Sequence, residues 1–178
     1  HVAFVEVALD GSVLRTASER FDAAANTVLT DLVDLLLAFV AGARDRRILG
    51  VGVGVPGTVD RQGAGVVVSP QLGWSQLPLG ATLHRALDLP VLIENNVNAL
   101  AMAERLYGTG RRHHNFLVIT IGTGVGAGIV VDGVVLRGAA GGAGEVGHTP
   151  VLENGPLCSC GNHGCLEAVI GEAALVRT

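Results

Sequence analysis

Aromatic residues are scarce: they make up 3% of the 178 residues, while apolar residues make up 49%. A core of this composition has to be assembled from Val, Leu, Ala and Ile. Positive charge is also in short supply. Twelve basic residues face 16 acidic ones, for a formal charge of −4. The only compact cationic run is Arg111, Arg112, His113 and His114. It reads more simply as a solvated loop than as a phosphate contact, and no basic stripe suited to gripping DNA is present. Long apolar runs are missing too. The longest, residues 29–43, is interrupted by Asp31 and Asp34 and is too short and too charged to span a bilayer. No basic segment leads into a cleavage site. A cytoplasmic location and no membrane partner are therefore expected. The chain starts at His1 without Met and reads as beginning inside a domain. Cysteine is limited to three residues, all between Cys158 and Cys165. An odd, tight cluster fits metal binding in a reducing compartment better than a disulfide framework.

Glycine, by contrast, is abundant at 26 residues and clusters in a few segments, as tight turns and close backbone approaches require. The apolar pattern between those turns predicts two strands at 1–7 and 12–16 around an Asp10-Gly11 turn. A helix capped by Asn26 is expected to run to about Ala43. Buried strands are expected at 47–55, 63–69 and 90–93, a loop at 70–74, and helices at 79–87 and 99–107. Strands at 116–121, 128–131 and 134–136 form a meander, and a last helix starts near Leu166. Strands alternating with helices predict a mixed α/β sheet. The polar, basic stretch 108–115 suggests a boundary between a first lobe, 1–112, and a second, 113–178.

The cysteines stand as Cys158-Ser159-Cys160-Gly161-Asn162-His163-Gly164-Cys165, with His148 ten residues before the first. Three thiolates and one imidazole suit tetrahedral zinc, and a closed shell makes that zinc structural rather than catalytic. Spacing alone leaves His148 and His163 as competing fourth ligands.

These residues carry a resemblance. Gly144-Glu145-Val146-Gly147-His148, followed by Cys158-x-Cys160-Gly161-x-x-Gly164-Cys165-Leu166-Glu167, resembles the signature of the ROK family of repressors, open reading frames and kinases. Val55-Pro56-Gly57 is similar to the family's loop over the sugar, and Glu94-Asn95-Asn96-Val97-Asn98 to its E-N-D-x-N. Residues 122–128, G-T-G-V-G-A-G, resemble its second phosphate loop. The resemblance implies an α/β fold of the actin-like, ribonuclease H-like class, with two lobes and the sugar in the cleft, here truncated at both ends. It implies His148 as the fourth zinc ligand beside Cys158, Cys160 and Cys165. It implies Gly57, Asn95, Asn96, Glu145, His148 and Glu167 as sugar contacts, and Gly122, Thr123 and Gly124 as a weak nucleotide site.

Each position also has a plainer reading. Asn95 or Asn96 can cap the helix that follows. Glu167 can favour a helix dipole, and Gly57 can be a turn glycine after Pro56. The glycine turn can serve a hairpin. Trp74 can stack on a sugar, but a lone Trp is more often a core anchor.

In the family's kinases the Asp of E-N-D-x-N is the general base; here that position is Asn96, a neutral amide. No catalytic residue is therefore expected. The implied function is the sugar-binding effector domain of a sugar-responsive regulator. Its DNA contact would be a winged helix-turn-helix expected upstream of His1, and it would act as a homo-oligomer. The alternatives are an ATP- and magnesium-dependent sugar kinase, or a zinc-stabilised structural domain without ligand.

Overall fold

The computed structural model describes residues 1–43, 46–60 and 65–176. The chain forms two compact units, His1–Glu94 and Asn95–Thr178. Among the described residues no helix is long and apolar enough to cross a membrane.

The first unit opens with strands β1 (Val2–Val7) and β2 (Val13–Glu19), paired antiparallel with Val5 opposite Thr16. The turn between them is closed by Asp10, whose carboxylate accepts from the Ser12 amide at 2.9 Å and the Ser12 hydroxyl at 2.7 Å. Helix α1 (Val28–Ala41) buries Val28 and Leu36. Thr27, not Asn26, stands at its N-cap, and no side chain caps the helix there. The Thr27 hydroxyl instead donates to the Asp31 carboxylate at 2.8 Å, so its oxygen turns away from the first amides.

Strands β3 (Val51–Val55), β4 (Thr58–Asp60), β5 (Val66–Ser69) and β6 (Trp74–Leu77) follow. The strand expected at 63–69 begins at Val66, and its positions 63 and 64 lie outside the described residues. The loop expected at 70–74 is a single 3-10 turn, Pro70–Leu72, started by the Ser69 hydroxyl and stopped by left-handed Gly73. Helix α2 (Leu79–Leu87) ends at Asp88 in the left-handed region and leads to β7 (Val91–Asn95), which pairs with β3. The core of this unit gathers Phe4, Val28, Leu36, Val55, Val67, Trp74, Leu79, Leu83 and Ile93. Trp74 is a core anchor: its indole N–H donates to the Ala23 carbonyl at 2.8 Å, which satisfies the one polar atom that burial would otherwise strand.

The second unit starts with Asn95 as a true N-cap. Its side-chain oxygen accepts from the amides of Val97 (2.9 Å) and Asn98 (3.1 Å), opening helix α3 (Asn96–Leu106). Strands β8 (Phe116–Ile121), β9 (Val125–Val131) and β10 (Val134–Leu136) form an antiparallel meander in the order β10-β9-β8. β9 begins three residues earlier than its apolar pattern suggests, because Gly126 and Gly128 pair in register with Thr120 and Val118. Ala101 of α3 is fully buried against Val130 and Val135 of the sheet. That packing places α3 with the second unit, so the division falls after Glu94 rather than in the 108–115 stretch. There, Thr109–Arg112 is a 3-10 turn tied back to Glu104 through the Thr109 amide and hydroxyl, each at 3.0 Å. The chain ends in two short helices, α4 (Leu166–Ile170) and α5 (Glu172–Leu175).

Candidate metal centre and the polar residues around it

The 3-10 turn Val146–His148 presents the His148 ring, and an isolated bridge between Pro150 and Cys165 brings the far end of the cysteine segment back beside it. Between them the chain closes a knuckle. The Cys158 amide donates to Asn162 O at 2.8 Å, and the Gly161 amide to Cys158 O at 3.0 Å. Gly164 sits at φ +68°, and a Cβ there would fall 1.7 Å from the Leu152 carbonyl oxygen, so no other residue fits.

The result is a cluster in which one ligating atom each of His148, Cys158, Cys160 and Cys165 lies within 4.8 Å of the others. His148 Nδ1 is 3.5 Å from Cys158 Sγ, and Cys160 Sγ is 3.7 Å from Cys165 Sγ. A tetrahedral site with metal–sulfur bonds of about 2.3 Å has sulfur–sulfur edges of about 3.8 Å. The donor set therefore fits a four-coordinate metal ion. His163, the competing histidine, is exposed and turns its Nδ1 to the Gly155 carbonyl at 3.2 Å. Without a cation the site resists ionisation at its deepest point: burial, then the neighbouring sulfurs, push the Cys165 thiol up to about 12. The exposed Cys160 is shifted the other way, first by the Asn162 backbone amide. A bound cation takes thiolates, so loading expels these protons.

Around the cluster the expected site residues divide. His148 Nε2, on the edge opposite the sulfurs, lies 3.8 Å from a carboxylate oxygen of exposed Glu145. Asn95 commits its oxygen to the helix cap. Asn96 is exposed at the first position of α3. Glu167 has both oxygens engaged: one accepts from the Val125 amide at 3.0 Å, the other from the Ser159 hydroxyl at 3.0 Å. Gly122 and Thr123 are exposed and Gly124 is half-buried in the turn between β8 and β9, with the Gly122 amide donating to Gly124 O at 3.0 Å. Gly57 belongs to the first unit and has a local reason to be glycine. It adopts φ +100°, and a Cβ would fall 2.2 Å from the Val68 carbonyl oxygen.

Two residues of this network were not singled out from the sequence. Ser159, between two metal-type cysteines, links their loop to Glu167. Glu172 accepts from the Thr123 hydroxyl at 3.0 Å, and its own amide donates to Gly122 O at 2.8 Å. The only signal in the sequence is a second Glu five residues after Glu167.

The ROK family model matches residues 2–178. The chain is 43% identical over 129 residues to a xylose repressor of Caldicellulosiruptor bescii, covering 72% of this chain and 32% of the repressor. It is 41% identical over 147 residues to a glucokinase of Streptomyces coelicolor, covering 82% of this chain and 46% of the kinase. Among solved structures, a ROK family transcriptional regulator homologous to the E. coli MLC protein superposes with a TM-score of 0.86 at 33% identity, over 98% of this chain and 45% of that one. A ROK family glucokinase from Streptomyces griseus, in complex with glucose and AMPPNP, superposes with a TM-score of 0.83 at 37% identity, over 96% of this chain and 54% of the other. The chain thus spans less than half the length of these curated relatives. Its mixed α/β elements are those of the actin-like sugar-kinase fold, and the chain belongs to the ROK family.

Proposed function

We propose that this chain is the sugar-binding effector module of a sugar-responsive transcriptional regulator, stabilised by one structural zinc on His148, Cys158, Cys160 and Cys165. The observation that carries this reading is Asn96, exposed at the start of α3 where the family's kinases place their general base. An amide positions a hydroxyl but does not take its proton at neutral pH. Losing a general base costs about 10²–10⁴-fold in rate, while hydrogen bonding to a sugar is kept, because Asn both donates and accepts.

Zinc supports such a module without entering any chemistry. Held through Nδ1, the His148 ring keeps Nε2 on the side of Glu145, where a sugar hydroxyl can bond to both. Each Glu167 oxygen accepts one bond and retains a second acceptor lobe. Asn95, Asn96, Glu145, His148 and Glu167 are the proposed sugar contacts of the second unit. A sugar regulates only if it binds one arrangement of the protein better than another. The DNA contact and the oligomeric assembly are assigned to the full-length protein. The repressor and regulator relatives support this reading.

An ATP-dependent sugar kinase is the second reading, favoured by glucokinase relatives of similar identity. Thermal denaturation of the full-length, zinc-loaded protein against a sugar panel, with and without ATP and magnesium, separates the two. A ligand at 100 times its Kd adds about 2.7 kcal/mol of stability. One stabilising sugar without ADP formation is the result expected; sugar-dependent ADP release establishes the kinase, and no shift with any sugar removes the sugar site.

A further inference from the structure

A phosphate cradle needs amide and hydroxyl donors turned outward and no negative charge beside them. The turn Gly122-Thr123-Gly124 has the glycines of such a cradle, but three donors of the turn and its exit, the Gly122 amide, the Thr123 hydroxyl and the Val125 amide, are otherwise employed. The Val125 amide is given to Glu167, and the Thr123 hydroxyl to Glu172, each at 3.0 Å. The Gly122 amide is given to Gly124 O at 3.0 Å. Glu172 grips the turn twice, since its amide also donates to Gly122 O at 2.8 Å. Among the described residues neither Glu167 nor Glu172 is paired with a cation. Two uncompensated carboxylates therefore face the turn from the helices that follow the cysteine loop.

We infer that Glu172 is a specificity-determining residue that closes the glycine turn against phosphate, so that this chain excludes nucleotide from the turn. Thr123 is the partner through which Glu172 holds its place, and Glu167 locks the other end of the turn. Ser159 extends the lock to the metal loop, because its hydroxyl donates to the second oxygen of Glu167 at 3.0 Å. A triphosphate entering here meets like charge and must displace the Thr123 bond. This deepens the sensor reading and rests on it in one respect: sugar alone, without nucleotide, is the effector.

Calorimetric titration of the full-length, zinc-loaded protein with magnesium AMPPNP tests it, comparing wild type with Glu172→Gln and Glu172→Ala. Glu172 is exposed, so neither change disturbs a core, and zinc content and melting temperature verify the fold. Removing one like charge at contact distance is expected to tighten nucleotide binding on the order of tenfold in both variants. Equal or weaker binding in the variants overturns the inference, and so does no detectable binding in any of the three proteins. The sugar-induced melting shift is recorded on the same samples. Its absence in wild type counts against the sugar reading, whereas the nucleotide comparison alone decides the role of Glu172.

Discussion

One ring, His148, stands between two kinds of partner: its Nδ1 lies 3.5 Å from Cys158 Sγ and its Nε2 3.8 Å from Glu145. With the proposed zinc held through Nδ1, metal occupancy and the orientation of the ring toward Glu145 become a single property. Structural zinc contributes folding energy directly, about 10–16 kcal/mol in small zinc-dependent peptides. Chelation, or His148→Ala, is expected to release one zinc per chain and lower the melting temperature by roughly 10 °C or more. Metal analysis alongside calorimetric melting checks this. A stoichiometry of zero in the purified protein, or a melting point indifferent to chelator, refutes it.

Asn95 offers a cleaner separation of structure from binding. Its oxygen caps α3 with two amide bonds. Asn95→Ala is expected to cost about 1 kcal/mol, and Asn95→Asp, which keeps the acceptor, far less. Chemical denaturation of the two variants side by side measures the difference; equal losses would show that the cap is not the source.

Gly57 makes a steric prediction. At φ +100°, with the Val68 carbonyl oxygen in the way of a Cβ, Gly57→Ala is strained on both counts. A loss of roughly 1–3 kcal/mol or more is expected, read as a lower denaturation midpoint with no change in zinc content. An unchanged midpoint would mean that β5 yields freely at Val68.

Acid sensitivity of the first unit follows from Glu6. The Arg46 guanidinium, hydrogen-bonded to it, holds this carboxyl below its ordinary value of 4.5, and Arg15 adds to the effect. A group whose folded value is depressed contributes stability above its unfolded value and loses it as pH falls through the folded one. The first unit should therefore weaken as pH drops below the ordinary carboxylate range. Glu6→Gln should flatten that part of the pH dependence while lowering stability at neutral pH, as followed by melting across a pH series.

Much of the fold is legible residue by residue. Helix α2, with Leu79 and Leu83 at helical spacing and Asp88 to end it, stands where its pattern predicts, as do β8 and β10. The metal cluster is readable because its ligands are close in sequence and chemically distinctive. Local rules fail where tertiary contacts choose between neighbours. Asn26 looks the better cap, yet Thr27 takes the position and then spends its hydroxyl on Asp31. The polar 108–115 stretch looks like a boundary, yet burial of Ala101 under β9 and β10 ties α3 to the later strands. The Ser159–Glu167–Val125 and Thr123–Glu172 links join residues eight to 49 positions apart, and no periodicity encodes them.

The meander has a practical consequence. β8 is an edge strand whose outer row, Leu117, Ile119 and Ile121, is 61%, 62% and 60% exposed. Open backbone edges flanked by aliphatic side chains recruit other strands. Handled as an isolated polypeptide, this span should therefore self-associate along β8 as concentration rises, and a charged substitution at Ile119 should raise its solubility.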